Sequence, residues 1–167
     1  PQYRDDGIVG PLSALLVDGG FVSRGQDGGA AVAAEQPAAL AAERFGDALA
    51  ESGAVVDGVV RVLGEDETLP NLVEIARIES PPLSAIVEQM LLATDATVAE
   101  MVLKELAVVD GGVGSTQAGG RVVAGVVESL GVGLDVPFRD ASGIDPVGGT
   151  TCRQLAGVAD AIPTGDP

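Results

Sequence analysis

The sequence predicts an α+β fold, and three observations carry that expectation. Val-rich, β-like runs lie at 8–18, 54–64 and 71–79, interrupted by one helical stretch. From Ser80 onward the apolar residues recur at helical spacing in consecutive segments. At 167 residues with 46% apolar content and a mean hydropathy of +0.34, the chain can bury a core as one domain or as a large piece of one.

Taken in order, "IVGPLSALLVD" (8–18) is a short β-like run closed by Gly19-Gly20. Residues 22–36 read as a loop, because "VSRGQDGGA" is Gly-rich and polar. Over 37–52 the residues Leu40, Ala41, Phe45, Ala48 and Leu49 share a helical face, and Gly53 stands where a helix ends. "AVVDGVVRVLG" (54–64) has strand character, with Asp57-Gly58 as a tight turn or a bulge. An acidic loop "EDETLP" (65–70) leads to Leu72, Glu74, Ala76 and Ile78 alternating with Val73, Ile75, Arg77 and Glu79, the pattern of a strand.

Ser80 is then placed to cap a helix with Pro81 as its first residue, where a missing N–H costs nothing. That helix runs to about Leu92. The next, 98–107, carries Val98, Met101, Val102 and Leu106 on one face. A loop at 110–120 precedes a third helix with the stripe Val122, Val123, Val126, Val127 and Leu130. Residues 133–151 read as irregular, and "CRQLAGVADAI" as a last short helix. There is no internal repeat, and the composition marks no internal domain boundary between residues 1 and 167.

Charge and residue usage exclude several chemistries. A net charge of −16 disfavours nucleic acid and anionic membrane surfaces, both of which require clustered Lys and Arg. The chain has no histidine, the commonest general base and metal ligand. Cys152 is the sole cysteine, so neither an intrachain disulfide nor a Cys/His zinc site is expected, and no cofactor motif occurs. The acidic "GEDE" at 64–67 lacks the spaced ligands and central glycine of a calcium loop and reads as solvated. "DGG" at Asp18, Asp27 and Asp110 marks turns, without the G-K-S/T of a phosphate-binding loop. No apolar run is long enough to span a membrane, and no basic-then-apolar segment opens the chain; its first residues read as those of a mature or excised segment.

The polar step Thr94-Asp95-Ala96-Thr97 between two helices has two readings. Thr97-Val98-Ala99-Glu100 fits the capping box S/T-x-x-E, worth about 1 kcal/mol. The alternative is an active-site corner. "SPPLSAIV" (80–87) followed by "TDATVAE" (94–100) resembles the second-motif region of penicillin-binding D-alanyl-D-alanine carboxypeptidases, more narrowly their low-molecular-mass class C branch of carboxypeptidase/endopeptidases. "GSTQAGG" (114–120), "RDASGID" (139–145) and "TTCRQLAGVADAI" (150–162) are similar to later segments of that family, and "PAALAAERFGDALAESGAVVDG" (37–58) to earlier ones. The ordered set covers about residues 36–162.

The resemblance implies a β-lactamase-like, penicillin-binding-type fold, present in part as a helical layer and part of an antiparallel sheet. It also implies serine-type D-alanyl-D-alanine carboxypeptidase or endopeptidase activity on peptidoglycan stem peptides, outside the cytoplasmic membrane. Family chemistry uses a Ser-x-x-Lys, a Ser-x-Asn and a Lys-Thr-Gly. Thr94 stands at the serine position of the second motif and keeps a hydroxyl. Ala96 stands at the asparagine position, which binds substrate, and has no amide. Asp140, Ser142 and Gly143 match a structural segment of the family.

No Ser-x-x-Lys occurs; Lys104 is the only lysine. At the end of the chain Pro163 stands where the lysine of a Lys-Thr-Gly would precede Thr164-Gly165. Two explanations stay open: a central portion of an enzyme whose other motifs lie elsewhere, or a degenerate relative that binds the cell wall without acyl transfer. Ser142 as a nucleophile lacks the G-x-S-x-G elbow and any histidine, so a turn in which Asp140 and Ser142 bond nearby backbone is expected instead. Strands without partners would leave open edges, and self-association is expected.

Overall fold

A computed structural model describes residues 7–25, 30–59, 61–64 and 67–162. Asp27, Glu65, Asp66 and the Pro163–Thr164–Gly165 stretch, each singled out above, lie outside the described residues. The architecture is α+β. A two-stranded antiparallel sheet pairs β1 (Phe21–Arg24) with β2 (Ala31–Ala33), and five α-helices follow. These are α1 (Pro37–Glu51), α2 (Leu83–Ala93), α3 (Ala96–Val109), α4 (Thr116–Ser129) and α5 (Cys152–Ala161). The chain divides into two compact units, Pro1–Val87 and Glu88–Pro167, a division that no composition shift announces.

In the first unit the run 8–18 forms bends and a 3-10 turn at Asp18–Gly20 instead of a strand. The strands come later, inside the stretch read as the loop 22–36. A bulge between Phe21 and Ser23 brings Phe21 opposite Ala33. Loop-like composition misleads there because Phe21, Ser23 and Arg24 pair with Ala33, Val32 and Ala31 on either side of the Gly-rich stretch. Phe21 is fully buried, and the Arg24 guanidinium lies 4.9 Å from its ring centroid. The same guanidinium donates to the Gly7 and Asp18 carbonyls, each at 3.2 Å. A side chain on Gly10 would collide with the Gly19 carbonyl, so the segment before the hairpin packs through bare backbone. α1 matches its expected span. It ends with Gly53 at φ +90°, whose N–H bonds Ala50 O while Ala54 N–H bonds Leu49 O.

Among the described residues neither expected strand, at 54–64 or 71–79, forms. Gly58 turns the chain at φ +136°, and the described residues between α1 and α2 are exposed throughout, Ile75 and Ile78 at 97% and 96%. Alternation alone does not make a strand: the ladder needs a neighbouring chain to take its N–H and C=O groups, and the described residues supply none. Ion pairs in this stretch are local, Arg61–Glu67 and Arg77–Glu74. α2 begins at Leu83 rather than Pro81. Pro82 disfavours the helical conformation for the residue before it, and the Pro82 carbonyl accepts from Ile86 N–H at 3.2 Å.

The second unit is built on the packing of α3 against α4. A methyl group on Gly119 would strike the Leu103 carbonyl oxygen, so these helices meet where one has no side chain. Leu103, Ala107, Val127 and Val132 are buried there. Gly157 of α5 packs on Val132, with 3.0 Å between Val132 Cγ1 and the place a Cβ would occupy. The buried face of α3 is Thr97–Glu100–Leu103–Ala107, and the expected stripe of Val98, Met101, Val102 and Leu106 is only half-buried. In α4, Val127 is buried, but Val126 and, just past the helix, Leu130 are exposed.

Candidate functional site

Four helices end in the same arrangement, in which the N–H groups of the two residues after the helix bond back to carbonyls of its last turn. Gly53, Gly111 and Gly131 occupy the left-handed position in three of them, at φ +90°, +82° and +81°. At the end of α2 that position belongs to Thr94, at φ +52°, with Thr94 N–H to Leu91 O at 3.4 Å and Asp95 N–H to Met90 O at 2.9 Å. A β-branched residue crowds its own carbonyl in this conformation, at a cost of about 1–2 kcal/mol. The corner thus carries backbone strain that the other three helix ends avoid, and the strained residue presents an exposed hydroxyl.

Asp95 serves two helices. Its N–H closes α2, and its Oδ1 accepts from Val98 N–H at 3.0 Å as the N-cap of α3. This corrects the expected capping box. Thr97 is already inside α3, one residue past its start at Ala96, and is buried; Glu100 is turned to another task. The expected box rested on Glu100 three residues after Thr97; Asp95 has Val98 at that spacing and caps through its own carboxylate alone. The helix start decides it. Ala96, the first residue of α3, presents only a methyl group at the corner.

Glu100 is 8% exposed and spans the distance from α3 to the loop at 139–145. Its Oε1 accepts from Ala141 N–H at 2.8 Å, Ser142 N–H at 3.1 Å and Ser142 Oγ–H at 2.9 Å. Asp140 Oδ2 accepts from Asp145 N–H at 2.8 Å and lies 3.2 Å from Ser142 Oγ. Gly143 sits at φ +71°, which closes the turn. The structure therefore brings Asp140, Ser142 and Gly143 together and adds Glu100, which the sequence reading had assigned to a cap. Ser142 Oγ–H faces two carboxylates, so its hydroxyl reaches charged side chains as well as serving the turn. Glu100 Oε1 is shared with two backbone N–H groups, an arrangement that ties the turn to α3.

Arg139 Nε donates to Asp145 Oδ2 at 3.1 Å. The Asp145 carboxyl is held below the usual aspartate range, first by the Val147 N–H and then by Arg139. Thr151 caps α5 by accepting from Gln154 N–H, and its hydroxyl donates to Asp135 Oδ2 at 2.7 Å. Lys104 Nζ donates to Thr116 Oγ1 at 3.2 Å, at the start of α4. Among the described residues no group of three or more Asp, Glu or Cys side chains is placed to hold a metal ion, and no helix is long and apolar enough to cross a membrane.

The family model described as D-Ala-D-Ala carboxypeptidase 3 (S13) matches residues 6–166. The chain belongs to the D-Ala-D-Ala carboxypeptidase 3 (S13) family. Neither the curated proteins nor the solved structures gave a match. Membership bears out the expected carboxypeptidase family across nearly the whole chain. Within this S13 member, Thr94 and Ala96 occupy the α2–α3 corner, and the Asp140–Gly143 turn is tied to α3 by Glu100.

Proposed function

We propose that this chain forms part of a serine-type D-alanyl-D-alanine carboxypeptidase/endopeptidase of the low-molecular-mass class C type, acting on peptidoglycan stem peptides outside the cytoplasmic membrane. The fold of the whole is read as β-lactamase-like, with α2–α4 in its helical layer. The observation that carries this reading is the Thr94 corner. Strain is retained where the family places its second-motif hydroxyl, while every other equivalent helix end uses glycine. Thr94 takes the proton-relay role and the Ala96 position faces substrate.

Catalysis by residues 1–167 alone is impaired. No Ser-x-x-Lys supplies an acylated serine, no Lys-Thr-Gly binds the substrate carboxylate, and Ala96 offers no amide. Losing that amide contact costs about 1–3 kcal/mol if its partner stays unpaired. Ala96 also favours a second reading, a non-catalytic cell-wall binding or scaffold protein on the same fold.

Fluorescent penicillin followed by denaturing electrophoresis tests both, applied to this chain and to the full product of its gene. A covalent band in the full product, with none in the chain, supports the enzyme. No band in either, with the folded protein pelleting with purified peptidoglycan, supports the binding reading. A covalent band on the chain itself overturns the impairment.

A further inference from the structure

Between Pro70 and Pro81 lie the residues 71–80, with the side-chain alternation of a strand and no strand beside them. Among the described residues, no backbone N–H or C=O of this stretch bonds to another backbone group. Leu72, Val73, Ile75 and Ile78 are all exposed. From Leu72 to Ile78 there is neither proline nor glycine, and Glu74 and Arg77 cancel, so the segment is neutral in a chain of net charge −16. A short neutral run of β-favouring residues with open edges is a template for another strand. Its two charges meet each other within the chain, Arg77 Nη2 donating to Glu74 Oε2 at 2.6 Å and Nε to Oε1 at 3.2 Å. Residues three apart point to opposite faces of an extended strand, so full extension separates this pair and leaves each charge in need of a new partner.

We propose that residues 71–80 pair antiparallel with the same residues of a second copy of this chain, Glu74 of each against Arg77 of the other. Proline cannot donate to a ladder, so full overlap between the two prolines sets Asn71 opposite Ser80. That same register sets Glu74 opposite Arg77, Val73 opposite Ile78 and Ile75 opposite Ala76. The ion pair within each chain is thereby exchanged for ion pairs between chains. A slip of one residue puts Glu74 against Ala76 or Ile78, and Arg77 against Val73 or Ile75, setting every charge on an apolar side chain. Because residue 75 faces residue 76 and not itself, no two-fold axis closes the contact. Each copy keeps one edge open, and association continues past the dimer as concentration rises. The contact uses neither Thr94 nor Ala96 and is independent of the enzyme reading.

The test is light scattering over a concentration series of the chain, of Glu74→Arg, of Arg77→Glu, of the double variant and of an equimolar mixture of the two single variants. Each single variant sets like charges opposite one another and is expected to raise the association midpoint about tenfold or more. The double variant and the mixture each restore opposite charges across the contact and should return the midpoint to that of the unaltered chain. The substituted side chains are exposed, so circular dichroism should be unchanged throughout. Amide exchange at 72–79 is expected to slow in the associated sample, as a backbone ladder requires and a side-chain contact does not. Association that survives both single variants places the contact on another surface and overturns the proposal. A mixture as dissociated as its components, or exchange at 72–79 that does not slow, overturns it as well.

Discussion

Thr94 adopts a conformation that glycine occupies at the three comparable helix ends, and the difference is measurable. Thr94→Gly should stabilise the chain by about 1 kcal/mol, read as a higher urea midpoint at unchanged slope. A loss of stability would mean that the threonine side chain makes compensating contacts. Asp95→Ala should cost about 1 kcal/mol through its lost bond to Val98 N–H. Glu100→Ala removes the acceptor for two backbone N–H groups and a hydroxyl, and should cost about 3 kcal/mol, with loss of amide protection at Ala141 and Ser142. At this scale the residue types were legible in the sequence but their partners were not. Glu100 contacts residues some forty positions away, and local pattern assigned it instead to the nearest hydroxyl.

Among the elements, the helices were the most legible. α1, α3 and α5 lie close to their expected spans, because apolar spacing and terminal glycines act within one or two turns, whereas α4 begins at Thr116, inside the stretch read as the loop 110–120, where Ser115 caps it by accepting from Ala118 N–H. The strands at 54–64 and 71–79 were misread because pairing partners cannot be inferred from alternation. The α3–α4 contact supplies a sharp check: Gly119→Ala should destabilise by about 1–3 kcal/mol, since its methyl must displace the Leu103 backbone. The loop at 135–148 should respond to acid. The Asp145 carboxyl titrates below the usual aspartate value, so its contribution is complete above that value and is lost as pH falls through the lowered one. An NMR pH titration of the Val147 amide, bonded to Asp145 Oδ1 at 2.8 Å, should show that low midpoint. A midpoint at or above the ordinary aspartate value would count against the Val147 and Arg139 contacts.

For the whole molecule, composition conveyed the acidic character and the reliance on small side chains, while the division into two units left no trace in it. Only Phe21 is a large side chain buried completely among the described residues; elsewhere burial is shared among Ala, Val, Leu, bare glycine backbone and the polar Thr97, Glu100 and Gln154. Apolar residues left exposed between α1 and α2, including Val55, Leu72, Val73, Ile75 and Ile78, predict concentration-dependent association. Size-exclusion chromatography with light scattering should report more than the 16.6 kDa of one chain, and a single species of that mass at all concentrations would refute it.

The same uncovered ribbon also determines how the chain would be cut. A protease must draw several residues in extended form through its active site, and few folded proteins surrender such a length without first opening. Here Arg61 and Arg77 already lie in non-helical, exposed backbone, and their ion pairs join near neighbours in sequence. Brief trypsin treatment should therefore cut first after Arg61 and Arg77, and the second of these cuts releases a product that begins at Ile78 and holds α2 through α5.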